Sequence, residues 1–173
     1  MFNTIFSRKS IREYTGEKIS SEDLEKILEA GQAAAVGRGD YESLLLTVIS
    51  NQDLIDEIEA NDSKIMGEES HPFFGAPQIV LISVKPSDTE PSNVEFASVG
   101  CIAENISLAA TELGVGSCLI WGAIRRALGN EELLKKFELP KGYFPCGAVT
   151  LGKTNVKFEA KKNRHQIKIK YID

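Results

Sequence analysis

Apolar positions along this chain change period several times, and the changes mark out its elements. Ser20 and Ser21, followed by Asp23, predict a helix N-cap. Leu24, Ile27 and Leu28 then give one apolar face at helical spacing. That helix is expected to run into Ala33-Ala34-Ala35 and break at Val36-Gly37-Arg38-Gly39-Asp40. Leu44–Ile49 is a continuous apolar, β-branched run and predicts a buried strand. Asn51–Ala60 predicts a helix with Leu54, Ile55 and Ile58 inward, and Asn61–Gly75 reads as a polar surface loop. A second buried strand covers Gln78–Val84. Ser92–Leu113 is the longest periodic segment, its apolar residues recurring at three- and four-residue steps over a wide face, so this helix is expected to be central. Ser117–Trp121 predicts a third strand, Glu131–Phe137 a weak helix and Pro145–Leu151 a fourth strand. Ile167, Ile169 and Tyr171 alternate with polar residues, as in a terminal edge strand. Strands interspersed with short helices imply a central sheet with helices on both faces.

The 173 residues suit a single domain, 1–173, able to bury about 70% of the surface of its unfolded chain. No apolar run is long enough to span a bilayer and no signal peptide is visible, so no membrane partner is expected. Cys101, Cys118 and Cys146 are odd in number and far apart, and read as apolar core fillers in a cytoplasmic protein. The two histidines, His71 and His165, read as solvated, and no metal site is expected. A net charge of −5 gives nothing global to attract nucleic acid.

The charge is uneven, however. Residues 153–173 carry seven cations against two acids, and Arg8, Lys9, Arg12 and Lys18 crowd the first eighteen residues. If the two basic ends meet in the fold, they form one anion site. In an extended segment Arg8, Ser10 and Arg12 point the same way, an arrangement suited to a phosphate. The same pattern also fits a solvated basic turn. Gly114-Val115-Gly116 is not a dinucleotide fingerprint, because it follows a helix and opens a strand.

Arg8-Lys9-Ser10-Ile11-Arg12-Glu13-Tyr14, after Ile5-Phe6, resembles the opening of the FMN-dependent nitroreductase family. Leu113-Gly114-Val115-Gly116 through Trp121-Gly122 resembles the family's next element, and Lys162-Asn163-Arg164 its late basic element. The resemblance implies an α+β, three-layer fold. Its central sheet is mixed but mainly antiparallel and flanked by helices, and its C-terminal strand is a candidate for exchange between subunits. It also implies a homodimer with FMN at the subunit interface, NADH or NADPH as electron donor, and a small-molecule acceptor such as a nitroaromatic or quinone. By the same resemblance Arg8, Ser10, Lys162 and Arg164 bind the cofactor phosphate, and Lys9 is a further cofactor-binding residue. Arg12 takes either the phosphate or flavin N1 and the C2 carbonyl. The Gly122 N–H meets flavin N5 and Trp121 lies along the ring. The chain departs from the family at Ala35–Ser43, where relatives carry a ring-contacting amide; Tyr41 and Ser43 are the candidate substitutes here. That departure leaves a second reading, a flavin-binding protein without NAD(P)H-driven turnover.

Overall fold

The computed structural model describes residues 2–160 and 167–172. Its elements in chain order are α1 (Phe2–Ser7), α2 (Ser21–Gln32), β1 (Leu44–Ile49), α3 (Gln52–Met66), β2 (Gln78–Val84), α4 (Asn93–Glu112), β3 (Gly116–Ile120), α5 (Gly122–Ala127), α6 (Glu131–Lys135) and β4 (Phe144–Gly152). The four strands form one sheet in the order β1-β2-β4-β3, and every pairing among the described residues is antiparallel.

Alternation along β2 shows why the sheet needs two covering layers. Val80, Ile82 and Val84 face α2 and α4, where they meet Ile27, Ile102 and Ile106. Ile79 and Leu81 face the other way, against Ile55 and Ile58 of α3 and Ile124 of α5. Both faces of β2 are therefore apolar and all seven of its residues are buried. Between Ile82 and Ser83 the register with β4 shifts, with Gly147 and Pro145 as the successive partners, so Cys146 is the extra residue of a bulge.

Several boundaries differ from the sequence expectation. Helix α3 continues to Met66 and ends on Gly67 at φ 74°, so the first part of the expected loop is helical. Its extension is held by Asp62, which is buried. A short helix, α5, precedes the expected one at 131. Cys101 is exposed, unlike Cys118 and Cys146, because it lies on the outer side of α4. Residues 167–172 form no strand with the rest of the described chain; Ile167, Ile169 and Tyr171 stand 90%, 74% and 80% exposed.

The outer strands are treated differently. Along β3 runs the chain's own N-terminal segment, where the Ile11 N–H donates to the Ser117 carbonyl at 2.8 Å. No comparable segment of the described chain lies along β1, whose only strand partner is β2.

Candidate functional site

The two basic stretches do meet. Lys9 Nζ donates to the Lys157 carbonyl at 2.6 Å, and Thr154 Oγ1 to the Glu13 carbonyl at 2.8 Å. The Thr15 N–H donates to the Lys153 carbonyl at 2.9 Å and the Lys153 N–H to the Glu17 carbonyl at 3.1 Å. Residues 8–17 are thereby fixed against the segment following β4. Lys162 and Arg164 lie outside the described residues.

Tyr14 is the lock on this segment. Its hydroxyl lies 2.7 Å from Thr150 Oγ1 and donates to the Ile11 carbonyl at 3.1 Å. Its ring packs against the end of the sheet at Gly116 and Gly152. A Cβ on Gly116 would come within 2.9 Å of that ring, and one on Gly152 within 3.0 Å. Glycine at both positions lets the tyrosine approach. Burial pushes the Tyr14 phenol well above its ordinary pKa, so it acts here as a neutral hydrogen-bonding group.

Ile11 points inward and is buried, whereas Ser10 and Arg12 are exposed, as the alternation predicts. The arginines, however, do not form a single row. The Arg8 Nε pairs with Glu104 Oε1 of α4 at 3.1 Å, on one side of the sheet. The Arg12 guanidinium lies 5.6 Å from the centroid of Phe74, which packs into the core on the opposite side. The short segment thus presents its two guanidinium groups to different layers.

At the end of β3 the chain exposes Leu119 and Trp121, with Trp121 42% exposed. The Trp121 ring meets Phe96 of α4 edge-on at 5.0 Å between centroids. Gly122 opens α5, where a helix makes no internal use of the first N–H groups. A Cβ there would lie 3.0 Å from Arg126 Nη2, so a larger residue would press on that guanidinium. Arg126 Nε in turn donates to Asp62 Oδ1 at 2.5 Å, and Ser70 Oγ to Asp62 Oδ2 at 2.6 Å.

Helix α4 therefore touches both ends of the candidate site. Phe96 and Glu104 are eight residues apart, about 12 Å along the helix axis. An aromatic end and a cationic end lie along one helix, and Gly122, next to Trp121, begins α5. That set fits a flat ring joined to a phosphate by a five-carbon chain, which is the layout of FMN.

In the divergent segment, the hydroxyls of both candidate substitutes turn to nearby backbone. Tyr41 donates to the Ala34 carbonyl at 3.0 Å and Ser43 to the Asp40 carbonyl at 2.9 Å. Arg38 sits at φ 61° in this loop, and the Gly37 N–H donates to Ser98 Oγ of α4 at 3.0 Å. Glu104, Phe74 and the Asp62–Arg126 pair had no sequence signal: each acts through a partner more than 60 residues away. His71, 63% exposed, bridges Glu59 and Glu69 with its ring, while its carbonyl accepts from the Phe74 N–H.

Comparison with known proteins is consistent with this geometry. The model of the nitroreductase family matches residues 5–72 and 61–153. The chain is 31% identical over 170 residues to an FMN reductase [NAD(P)H] of Bacillus subtilis (strain 168), covering 88% of this chain and 65% of that protein. It therefore spans a little under two thirds of that relative's length. Two solved structures, nitroreductases with bound FMN from Bacteroides fragilis NCTC 9343 and Desulfitobacterium hafniense DCB-2, each superpose with a TM-score of 0.83 at 25% identity. The first covers 99% of this chain and 98% of its own, and the second 100% of both.

Proposed function

The chain belongs to the nitroreductase family, and from that premise we propose that it is an FMN-dependent oxidoreductase. It takes electrons from NADH or NADPH and passes them to a small-molecule acceptor, a nitroaromatic or quinone, one substrate leaving before the next binds. The observation that carries this reading is α4 in contact with the aromatic end through Phe96 and the cationic end through Glu104.

Bound FMN supplies the two-electron chemistry. The chain's own residues bind and orient it. Arg8 and Ser10, with Lys162 and Arg164, hold the phosphate by charge-assisted bonds. Lys9, tied to the Lys157 carbonyl, contributes positive charge beside them. Arg12, held apart from Arg8 over Phe74, faces N1 and the C2 carbonyl and stabilises negative charge there. The Gly122 N–H would meet N5 and Trp121 would lie along the ring. No protein nucleophile takes part. Cys146, for one, is buried with its thiol pKa pushed up to about 12.

The working form is a cytoplasmic homodimer with FMN at the subunit interface. Two features support it: among the described residues β1 has a strand partner on one side only, and Ile167, Ile169 and Tyr171 are exposed. A strand from the partner's C-terminus laid along β1 would cover both.

The test is anaerobic absorption spectroscopy of the purified protein with FMN, followed by NADH and then NADPH. Flavin bands that bleach support the reading. Bands that persist with both donors favour a flavin-handling protein, the reading that the Ala35–Ser43 divergence motivates. No retained flavin refutes both.

A further inference from the structure

We propose that Glu104 is a positioning residue for the cofactor phosphate, acting through Arg8. The inference rests on the FMN reading above and adds a residue that neither the motifs nor the family resemblance points to. Glu104 is an acid placed on α4 beside the site where a phosphate dianion is to bind. On charge alone it opposes that binding, so its presence there calls for a physical reason.

The geometry supplies one. Glu104 Oε1 forms an ion pair with Arg8 Nε at 3.1 Å, and the two side chains are 54% and 28% exposed. An exposed pair of this kind adds little to fold stability. It does fix where the guanidinium lies, beside α4. Arginine is long and rich in rotamers, and most of what it gains from a bidentate phosphate contact depends on the fork already pointing correctly. A carboxylate on the Nε side of the planar fork does not compete for its Nη1–Nη2 edge. A second anchor, from Thr4 Oγ1 to Glu112 two turns further along α4, ties α1 to that helix just before Arg8.

Riboflavin separates this role from a merely structural one, because it carries the ring without the phosphate. Full-length protein freed of flavin by dialysis is titrated with FMN and with riboflavin, following flavin fluorescence. Glu104→Ala is expected to weaken FMN binding roughly three- to fivefold, the upper range for an exposed pair, with riboflavin binding unchanged. Glu104→Gln removes the charge at nearly constant size and should lose as much as Glu104→Ala, whereas Glu104→Asp keeps the charge and should recover part of the loss. In an Arg8→Ala background, Glu104→Ala should have no further effect on FMN. Equal losses for the two flavins, a gain in FMN affinity, or full additivity with Arg8→Ala would each overturn the assignment. The parent reading fails differently: wild-type protein that binds neither flavin refutes it. A wild-type preference for FMN that disappears in Arg8→Ala but is undiminished in Glu104→Ala sinks only the role of Glu104.

Discussion

Removing either partner of the Asp62–Arg126 pair should not cost the same. Asp62 is fully buried, while the Arg126 side chain is 32% exposed. Breaking a buried ion pair by deleting one partner costs about 3–5 kcal/mol, because the survivor is left uncompensated. The size of that penalty depends on whether the survivor reaches water. In Arg126→Met the survivor is Asp62, with only Ser70 Oγ as a remaining side-chain partner, so the full range of about 3–5 kcal/mol applies. In Asp62→Asn the survivor is Arg126, which already touches solvent, and the asparagine oxygen still accepts from it. The expected loss there is about 1–2 kcal/mol, of the order of one weakened charged hydrogen bond. The difference is about 2 kcal/mol. With a urea slope of about 2 kcal/mol/M it moves the midpoints apart by roughly 1 M, provided the slopes stay equal. Urea unfolding followed by far-ultraviolet circular dichroism at pH 7 reads this directly. Midpoints that coincide, or Asp62→Asn as the worse variant, would refute the argument from burial.

Three further outcomes follow from the same contacts. Gly152→Ala places a Cβ 2.6 Å from Pro77 Cδ and 3.0 Å from Tyr14, and should lower stability by about 1–3 kcal/mol in a denaturant titration. Tyr14→Phe loses the hydroxyl contacts to Thr150 and Ile11, while Thr150 keeps its bond to the Cys118 carbonyl. It should cost about 1 kcal/mol and weaken FMN binding by loosening residues 8–15; a variant with unchanged flavin affinity would remove Tyr14 from the role of lock. The His71 pKa is raised, first by its hydrogen bond to Glu59 and then by that to Glu69. A raised folded-state pKa stabilises below the unfolded value of about 6.5 and loses that contribution as pH rises through the folded value. A proton NMR titration should place the His71 midpoint above 6.5, and a midpoint at or below it would contradict the bridge.

What the sequence made legible follows from how far each signal reaches. Strands β1 and β2 are continuous apolar runs, and both appear with the expected limits. Helix α4 carries a long 3.6 period that survives any local irregularity. Six-residue α5 opens on glycine and is too short to show a period. It forms because Ala123, Ile124 and Ala127 are buried against the sheet. The last turns of α3 contain Asn61, Asp62 and Ser63, indifferent helix formers that read as loop. They are helical because Asp62 has Arg126 to meet and Gly67 to end the helix. The same limit applies to the site. Arg8 to Tyr14 was readable as a motif because its residues are adjacent. That Arg8 and Arg12 serve different layers was not readable, since their partners Glu104 and Phe74 are remote in sequence.

Phe74 shows how such a remote partner is held in place. It has φ 57°, a region that a bulky residue enters at a cost of about 1–3 kcal/mol unless its surroundings enforce it. The enforcement is visible on both sides. The Phe73 N–H donates to Glu59 Oε1 at 3.2 Å, and the Phe73 ring is completely buried. The Phe74 N–H donates to the His71 carbonyl at 3.0 Å, and the Ala76 N–H to the Phe73 carbonyl at 3.0 Å. A chain pinned at 73 and 76 has little choice of direction at 74. The ring therefore emerges beneath Arg12, where its face attracts the guanidinium. Relaxing the backbone would withdraw that ring and release Arg12 toward solvent. On the proposed function, the strain at Phe74 is what keeps the second cation at the ring end of the cofactor, apart from the first at the phosphate.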